Sequence, residues 1–278
     1  MLNYSKEVNE KIYTSLFYHY YMMCNKYGED NIFGIFAIGS MNYGSYNPDT
    51  SDVDTKLVII PSADEILALK PSPISTSNNI KNEKCNVQDI RAFFKGLMNQ
   101  NPNSLEVLVT PFYYINPKWA HIWDYIVPNI DEIAHIDEAH FVSSALGQIK
   151  QFLTNTSLTP KQAYHCERLA IVCQRYLEGQ SLKDCIQLDK PTQEWLNKIK
   201  FNKNPIDCLI DLDEEMKLFE DFIQKNKKPE PMVYPLFTEI LRVVFLETLS
   251  KKEDYNVTVT GVHIDPLELA RGIDPKSL

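Results

Sequence analysis

The feature that most constrains this chain is a short stretch near its N-terminus, where two apolar runs flank a polar segment. The first run is Ile32-Phe33-Gly34-Ile35-Phe36-Ala37-Ile38, and Gly39-Ser40 follows it directly. The polar segment, Met41 to Thr50, carries Gly44, Asn47 and Pro48. It closes on Ser51-Asp52-Val53-Asp54, and a second apolar run continues to Ile60, where Pro61 stops it. Apolar runs of this length bounded by turn residues read as buried strands. Four of the nine glycines fall between residues 28 and 44. A strand that ends in Gly-Ser at a helix start offers free amides and a hydroxyl to a phosphate. Glycine lets the phosphate approach the backbone.

Asp52 and Asp54 are two residues apart at the start of a strand, so alternation sets both carboxylates on one face. Like charges that close repel unless a cation lies between them. Oxygen-only ligands suit Mg²⁺ or Mn²⁺ better than zinc. A metal pair roughly 3.5–4 Å apart can clamp the attacking and leaving oxygens of a phosphoryl transfer. Such a site needs a third acid. The preferred candidate is Asp89, at the end of a strand expected over Ile80–Gln88. The second is Glu106, an acid among apolar neighbours in Leu105-Glu106-Val107-Leu108, also read as a strand.

The rest of the 278 residues changes texture near residue 115. Before it, strand and helix patterns mix: an N-terminal amphipathic helix over 3–27, the two strands above, a short helix over 62–70 capped by Ser62, and a helix over 89–99. After it, helical periods dominate, with a final alternating stretch over 255–264 expected as a strand. This predicts an α/β (α+β) fold in two parts, a mixed domain over 1–115 with the N-terminal helix and a helical domain over 116–278 with a C-terminal tail.

The net charge of −9 argues against a broad basic surface that wraps duplex nucleic acid. No apolar run reaches the roughly 20 residues that span a bilayer, and the N-terminus lacks the pattern of an export signal. The expectation is a cytoplasmic protein with no membrane partner. None of the six cysteines forms a CxxC pair, so they read as buried thiols.

The pattern apolar-Gly-Ser, eleven residues, Asp-apolar-Asp resembles the signature of the DNA polymerase beta-like nucleotidyltransferase superfamily. The wider context is similar to a set of bacterial and phage nucleotidyltransferases. It includes Gly39-Ser40-Met41-Asn42-Tyr43-Gly44, Ser51 to Lys56, Asp89-Ile90-Arg91, Leu105 to Thr110, and a helix with Lys161, His165 and Arg168. Thr55 departs from the apolar residue commoner after the second Asp. The resemblance spans roughly residues 30–180. It implies a nucleotidyltransferase palm followed by a mainly helical domain, and metal-dependent transfer of NMP from an NTP with release of pyrophosphate. Gly39 and Ser40 would then hold the triphosphate, Asp52 and Asp54 with Asp89 would bind metal, and Asp89 or Glu106 would serve as base.

Lys161, His165 and Arg168 form one stripe of a helix over 160–178. By pattern alone the stripe is a solvated face with Glu167 as an ion-pair partner. With the resemblance, it is equally a phosphate-contact face. The sequence sets neither the acceptor (RNA, protein or small molecule), nor the preferred NTP, nor the oligomeric state. A binding module that keeps the palm without turnover is the alternative reading.

Overall fold

A computed structural model describes residues 4–68, 76–80, 83–154, 158–200, 209, 211–228 and 234–250. Five strands form one sheet: β1 Ile32–Ala37, β2 Thr55–Ile59, β3 Thr76–Ile80, β4 Glu83–Asp89 and β5 Tyr113–Ile115. Their order is β3-β4-β2-β1-β5. β1 lies antiparallel between β2 and β5, whereas β2 and β4 run parallel, with Thr55 opposite Cys85 and Ile59 opposite Asp89. The central strand β1 is buried at all six positions, which is why it reads as an unbroken apolar run.

The helices are α1 Lys6–Tyr27, α2 Ser40–Tyr43, α3 Ala63–Leu67, α4 Ile90–Met98, α5 Pro102–Leu105, α6 Ala120–Ile126, α7 Ile130–Ala134, α8 Glu138–Leu153, α9 Pro160–Leu177, α10 Leu182–Ile186, α11 Lys190–Lys200, α12 Leu212–Asn226 and α13 Pro235–Ser250. Local signals set their ends. Ser5 caps α1 by accepting from the Val8 amide, and Gly28 stops it at φ 80°. Ser62 with Glu65, and Thr159 with Gln162, form reciprocal capping boxes on α3 and α9.

α1 covers one face of the sheet, where Ile12, Leu16, Tyr20 and Met23 meet Ile35, Leu57 and Val87. On the other face, Phe33, Phe36 and Val58 begin an apolar core that continues through Phe93, Phe94, Trp123, Phe141 and Tyr176 to Phe237. Trp119 and Trp123 lie in that core. No described helix is long and apolar enough to cross a membrane.

Two expectations change. The strand over Leu105–Val109 is instead α5 followed by a 3₁₀ turn at Glu106–Leu108. Asn101 caps α5 and Pro102 occupies its first turn, a start signal stronger than the short apolar run after it. The expected strand over Ile80–Gln88 is two strands, β3 and β4. The edge strand β5 had no counterpart in the sequence reading, because three residues carry no period. The strand expected over 255–264 lies outside the described residues.

Candidate active site

The Gly-Ser turn is built at the end of β1. The Ala37 amide donates to Phe112 O at 2.9 Å and the Ile38 amide to Asp54 O at 3.0 Å, so the turn and the aspartates are tied together. Gly39 takes φ 85°, ψ −136°, a conformation nearly closed to other residues. A Cβ on it would meet nothing within 4 Å, so backbone conformation, and not crowding, requires glycine there. Ser40 opens α2, and Gly44 ends it at φ 77°. A Cβ on Gly44 would strike Gln193 of α11 at 2.1 Å. The helical half therefore packs directly against the turn. Asn42 braces it from beneath, donating to Ala37 O at 3.2 Å.

Asp52 is exposed and Asp54 half-buried, at the entry to β2. The start of β4 holds this entry in place. The Lys84 amide donates to Asp54 Oδ1 at 3.1 Å, and the Val53 amide donates to Glu83 Oε1 at 3.1 Å. Glu83 also accepts from the Ser15 hydroxyl at 3.3 Å. The fully buried His19 places Nδ1 2.9 Å from Thr55 Oγ1. Its Nε2 lies 3.3 Å from Glu83 Oε2, outside hydrogen-bond geometry. Burial pushes the His19 pKa down, and the Glu83 and Asp54 charges oppose the shift. The sequence reading missed Glu83 and His19; only the pairing of β2 with β4 brings them to the aspartates.

Asp89, the preferred third acid, is elsewhere. Register places Lys84, and not Asp89, beside Asp54. Asp89 lies five residues further along β4, roughly 16 Å away at strand rise, and its alternation faces it with Thr55 and Ile59, opposite to Asp54. It is buried, caps α4 through the Arg91 amide at 2.7 Å, and pairs with the Arg91 guanidinium at 2.7 Å. Asp89 is a helix cap and not a partner of the paired aspartates.

Glu106 does reach the back of the turn. It is buried, accepts from the Tyr43 hydroxyl, and faces Lys56, Arg168 and the Gly39 amide. Burial raises its pKa; the Tyr43 hydrogen bond, the two cations and the amide oppose that. Lys56, two residues after Asp54, donates to Asn103 O. Burial pulls the Lys56 pKa down to about 8 against the pull of Glu106. Arg168 lies over the Tyr43 ring at 3.9 Å and is 5% exposed, with Nε unpartnered. These residues form a buried charged cluster beneath Gly39-Ser40.

The stripe on α9 therefore divides. Arg168 turns inward to the cluster. Lys161 is exposed. His165 stacks on Phe152 with ring centroids 5.6 Å apart. Burial, followed by the Arg168, Lys161 and Lys200 charges, drives its pKa down to about 3. Tyr164 reaches the palm, its hydroxyl 2.8 Å from Ser45 Oγ. Glu167 is buried, and burial raises its pKa to about 7, with Glu215 and Asp211 adding to the shift.

Asp52 and Asp54 offer the hard oxygen donors that Mg²⁺ or Mn²⁺ takes. Among the described residues, no three His, Cys, Asp or Glu side chains gather closely enough to hold a metal ion. The neighbours of Asp54 and Lys56 across the β2–β4 pair are Lys84 and Asn86, not acids. The donors thus fit a divalent cation in kind, with two carboxylates in place of three.

Comparison with known proteins matches residues 25–211 to the family described as RNA repair pathway DNA polymerase beta. Comparison with curated proteins gives no match. Among solved structures, the chain is similar to a nucleotidyltransferase-like protein from Exiguobacterium sibiricum 255-15. That similarity covers 85% of this chain and 89% of the other, at 12% identity and a TM-score of 0.32.

Proposed function

From the premise that the chain belongs to the RNA repair pathway DNA polymerase beta family, we propose that it transfers a nucleoside monophosphate from an NTP to the hydroxyl of an RNA end, releasing pyrophosphate. The observation that carries this reading is the hydrogen bond from the Ile38 amide to Asp54 O, which sets Gly39-Ser40 and the paired aspartates side by side.

In this reading the Gly39-Ser40 turn receives the triphosphate, with amides and the Ser40 hydroxyl as donors. Asp52 and Asp54 would hold Mg²⁺ or Mn²⁺, which when bound supplies charge neutralisation for the phosphates. Lys161 is the exposed cation of the α9 stripe and would meet the outer phosphates, where charge develops on the leaving group. Arg168, Tyr43 and Glu106 do not touch substrate; they fix the turn. Glu83 and Lys84 position the aspartates through Val53 and Asp54. Catalysis is then a matter of positioning and charge.

One observation favours a second reading, a nucleotide-binding module without turnover: Lys84 lies beside Asp54, and Asn86 beside Lys56, where a third acid would be expected. Two measurements separate the readings. Both expect Mg²⁺-dependent binding of a non-hydrolysable NTP that Asp52→Asn with Asp54→Asn removes. Only the first expects an RNA oligonucleotide to acquire label from an α-labelled NTP. Absence of metal-dependent NTP binding contradicts both.

A further inference from the structure

The outer surface of α9, the turn after it and the start of α11 line an open surface cavity of about 620 Å³, within the size range of small-molecule sites. None of its lining residues belongs to the Gly39-Ser40 turn. Its apolar wall is Ile171, Pro191 and Trp195. Trp195 is 43% exposed, whereas the other two tryptophans are in the core. No described ring or cation stacks on it.

On the polar wall, the glutamine amides, the guanidinium and the hydroxyl each already hold a partner. Gln174 Nε2 donates to Glu215 Oε1 at 2.5 Å, and Gln180 Nε2 to Glu178 Oε2 at 3.1 Å. The Arg175 guanidinium is held by the Asp189 carboxylate, by Thr192 Oγ1 at 3.1 Å and by Asp184 O at 3.3 Å. The Thr192 hydroxyl lies 2.9 Å from Asp189 Oδ1. The unused acceptors are the amide oxygens of Gln174 and Gln180 and the Glu178 carboxylate. Arg175 and Asp189 neutralise each other. Glu178 makes no ion pair among the described residues. The cavity therefore has spare acceptors, one uncompensated negative charge and an open indole face.

We propose that this cavity binds an aliphatic polyamine. An ammonium group carries three donors and no acceptor, which suits the unused acceptors here. Its charge answers Glu178, and an indole face is the best aromatic partner for a cation. The methylene stem lies along Trp195, Pro191 and Ile171. A phosphate would meet the Glu178 charge and a guanidinium already neutralised by Asp189, so the charge balance of the cavity favours a cation over a nucleotide.

The test is calorimetric titration of the full chain with spermidine, beside diacetylated spermidine, which keeps the stem and loses two charges. Spermidine should bind saturably at one site, and the diacetyl compound should not. Glu178→Gln and Trp195→Ala should each weaken binding about tenfold, the scale of one charge contact or one cation–π contact. Both side chains are exposed, so neither change threatens the fold. Glu214→Gln, an exposed acid on α12, should leave binding unchanged. Absence of saturable binding overturns the proposal. So does equal weakening by Glu214→Gln, which marks general attraction to an acidic surface, or full binding in both cavity variants.

Discussion

Replacing Glu106 by Gln removes one negative charge from a buried cluster that also holds two cations, Lys56 and Arg168. The Tyr43 contact has a neutral acceptor to replace it, so the main loss is charge. Lys56 has an escape. Its pKa is already down to about 8, so giving up its proton at pH 7 costs only about 1.4 kcal/mol. Arg168 cannot deprotonate. Losing its charged partner costs about 2 kcal/mol, the scale of a hydrogen bond or contact to a charged group. The sum is about 3 kcal/mol, at the low end for removing one member of a buried pair. For a chain of this size that corresponds to a fall of about 6–12 °C in Tm. At pH 9 the wild-type Lys56 is itself mostly neutral, so its share vanishes and the loss falls to about 2 kcal/mol. The sign follows from linkage. A lysine whose folded pKa lies below 10.5 binds fewer protons when folded, so wild-type stability gains from this group as pH rises from about 8 towards 10.5. Urea unfolding followed by circular dichroism at pH 7 and pH 9 measures both losses. A loss below about 1 kcal/mol at pH 7, or a larger loss at pH 9 than at pH 7, refutes the reasoning.

Asp89→Asn should keep NTP binding and turnover per folded molecule, since Asn caps as well as Asp, and cost about 1–2 kcal/mol of stability through the lost charge pair with Arg91; loss of turnover with an intact fold would return Asp89 to the site. Lys161→Ala should raise the KM for NTP and leave stability within about 0.5 kcal/mol, whereas Arg168→Ala should destabilise by more than about 2 kcal/mol. Paired melts and steady-state kinetics distinguish the two, and equal stability effects would contradict the division of the stripe. His165, with a folded pKa of about 3 against 6.5, should make stability fall as pH drops below about 6.5, by roughly 2 kcal/mol at pH 5. His165→Gln should flatten that part of the pH–stability curve; an unchanged slope would count against a buried neutral His165.

Much of the palm was legible because short-range chemistry determines it. The β1 run, the Gly39-Ser40 turn and the Ser62 cap all follow from neighbours in sequence. Whether a third acid joins the pair was not legible, because that depends on register. Asp89 sits at a strand end next to Ile90 and Arg91, which suits a helix cap as well as a ligand, and only the pairing of Thr55 with Cys85 separates the two roles. Glu106 was read as a strand residue because the Asn101-Pro102 helix start was overlooked, and its place behind the Gly39-Ser40 turn carried no sequence signal. Arg168 shows a different limit. A cation at helical spacing from two others says nothing about which way it turns, and the Tyr43 ring decides that here. Glu83 and His19 carry no sequence signal at all, being 64 residues apart by number.

The central claim, that Gly39-Ser40 with Asp52 and Asp54 forms a nucleotidyl-transfer site, is tested most directly by following an α-labelled NTP. The wild-type chain, an RNA with a free terminal hydroxyl and Mg²⁺ or Mn²⁺ are incubated together, beside the same mixture with Asp52→Asn and Asp54→Asn combined. The account predicts label in covalent linkage to the RNA with an equal amount of pyrophosphate released, and neither product from the double variant, whose melting curve should stay cooperative. Equal labelling by the wild type and the double variant would contradict it.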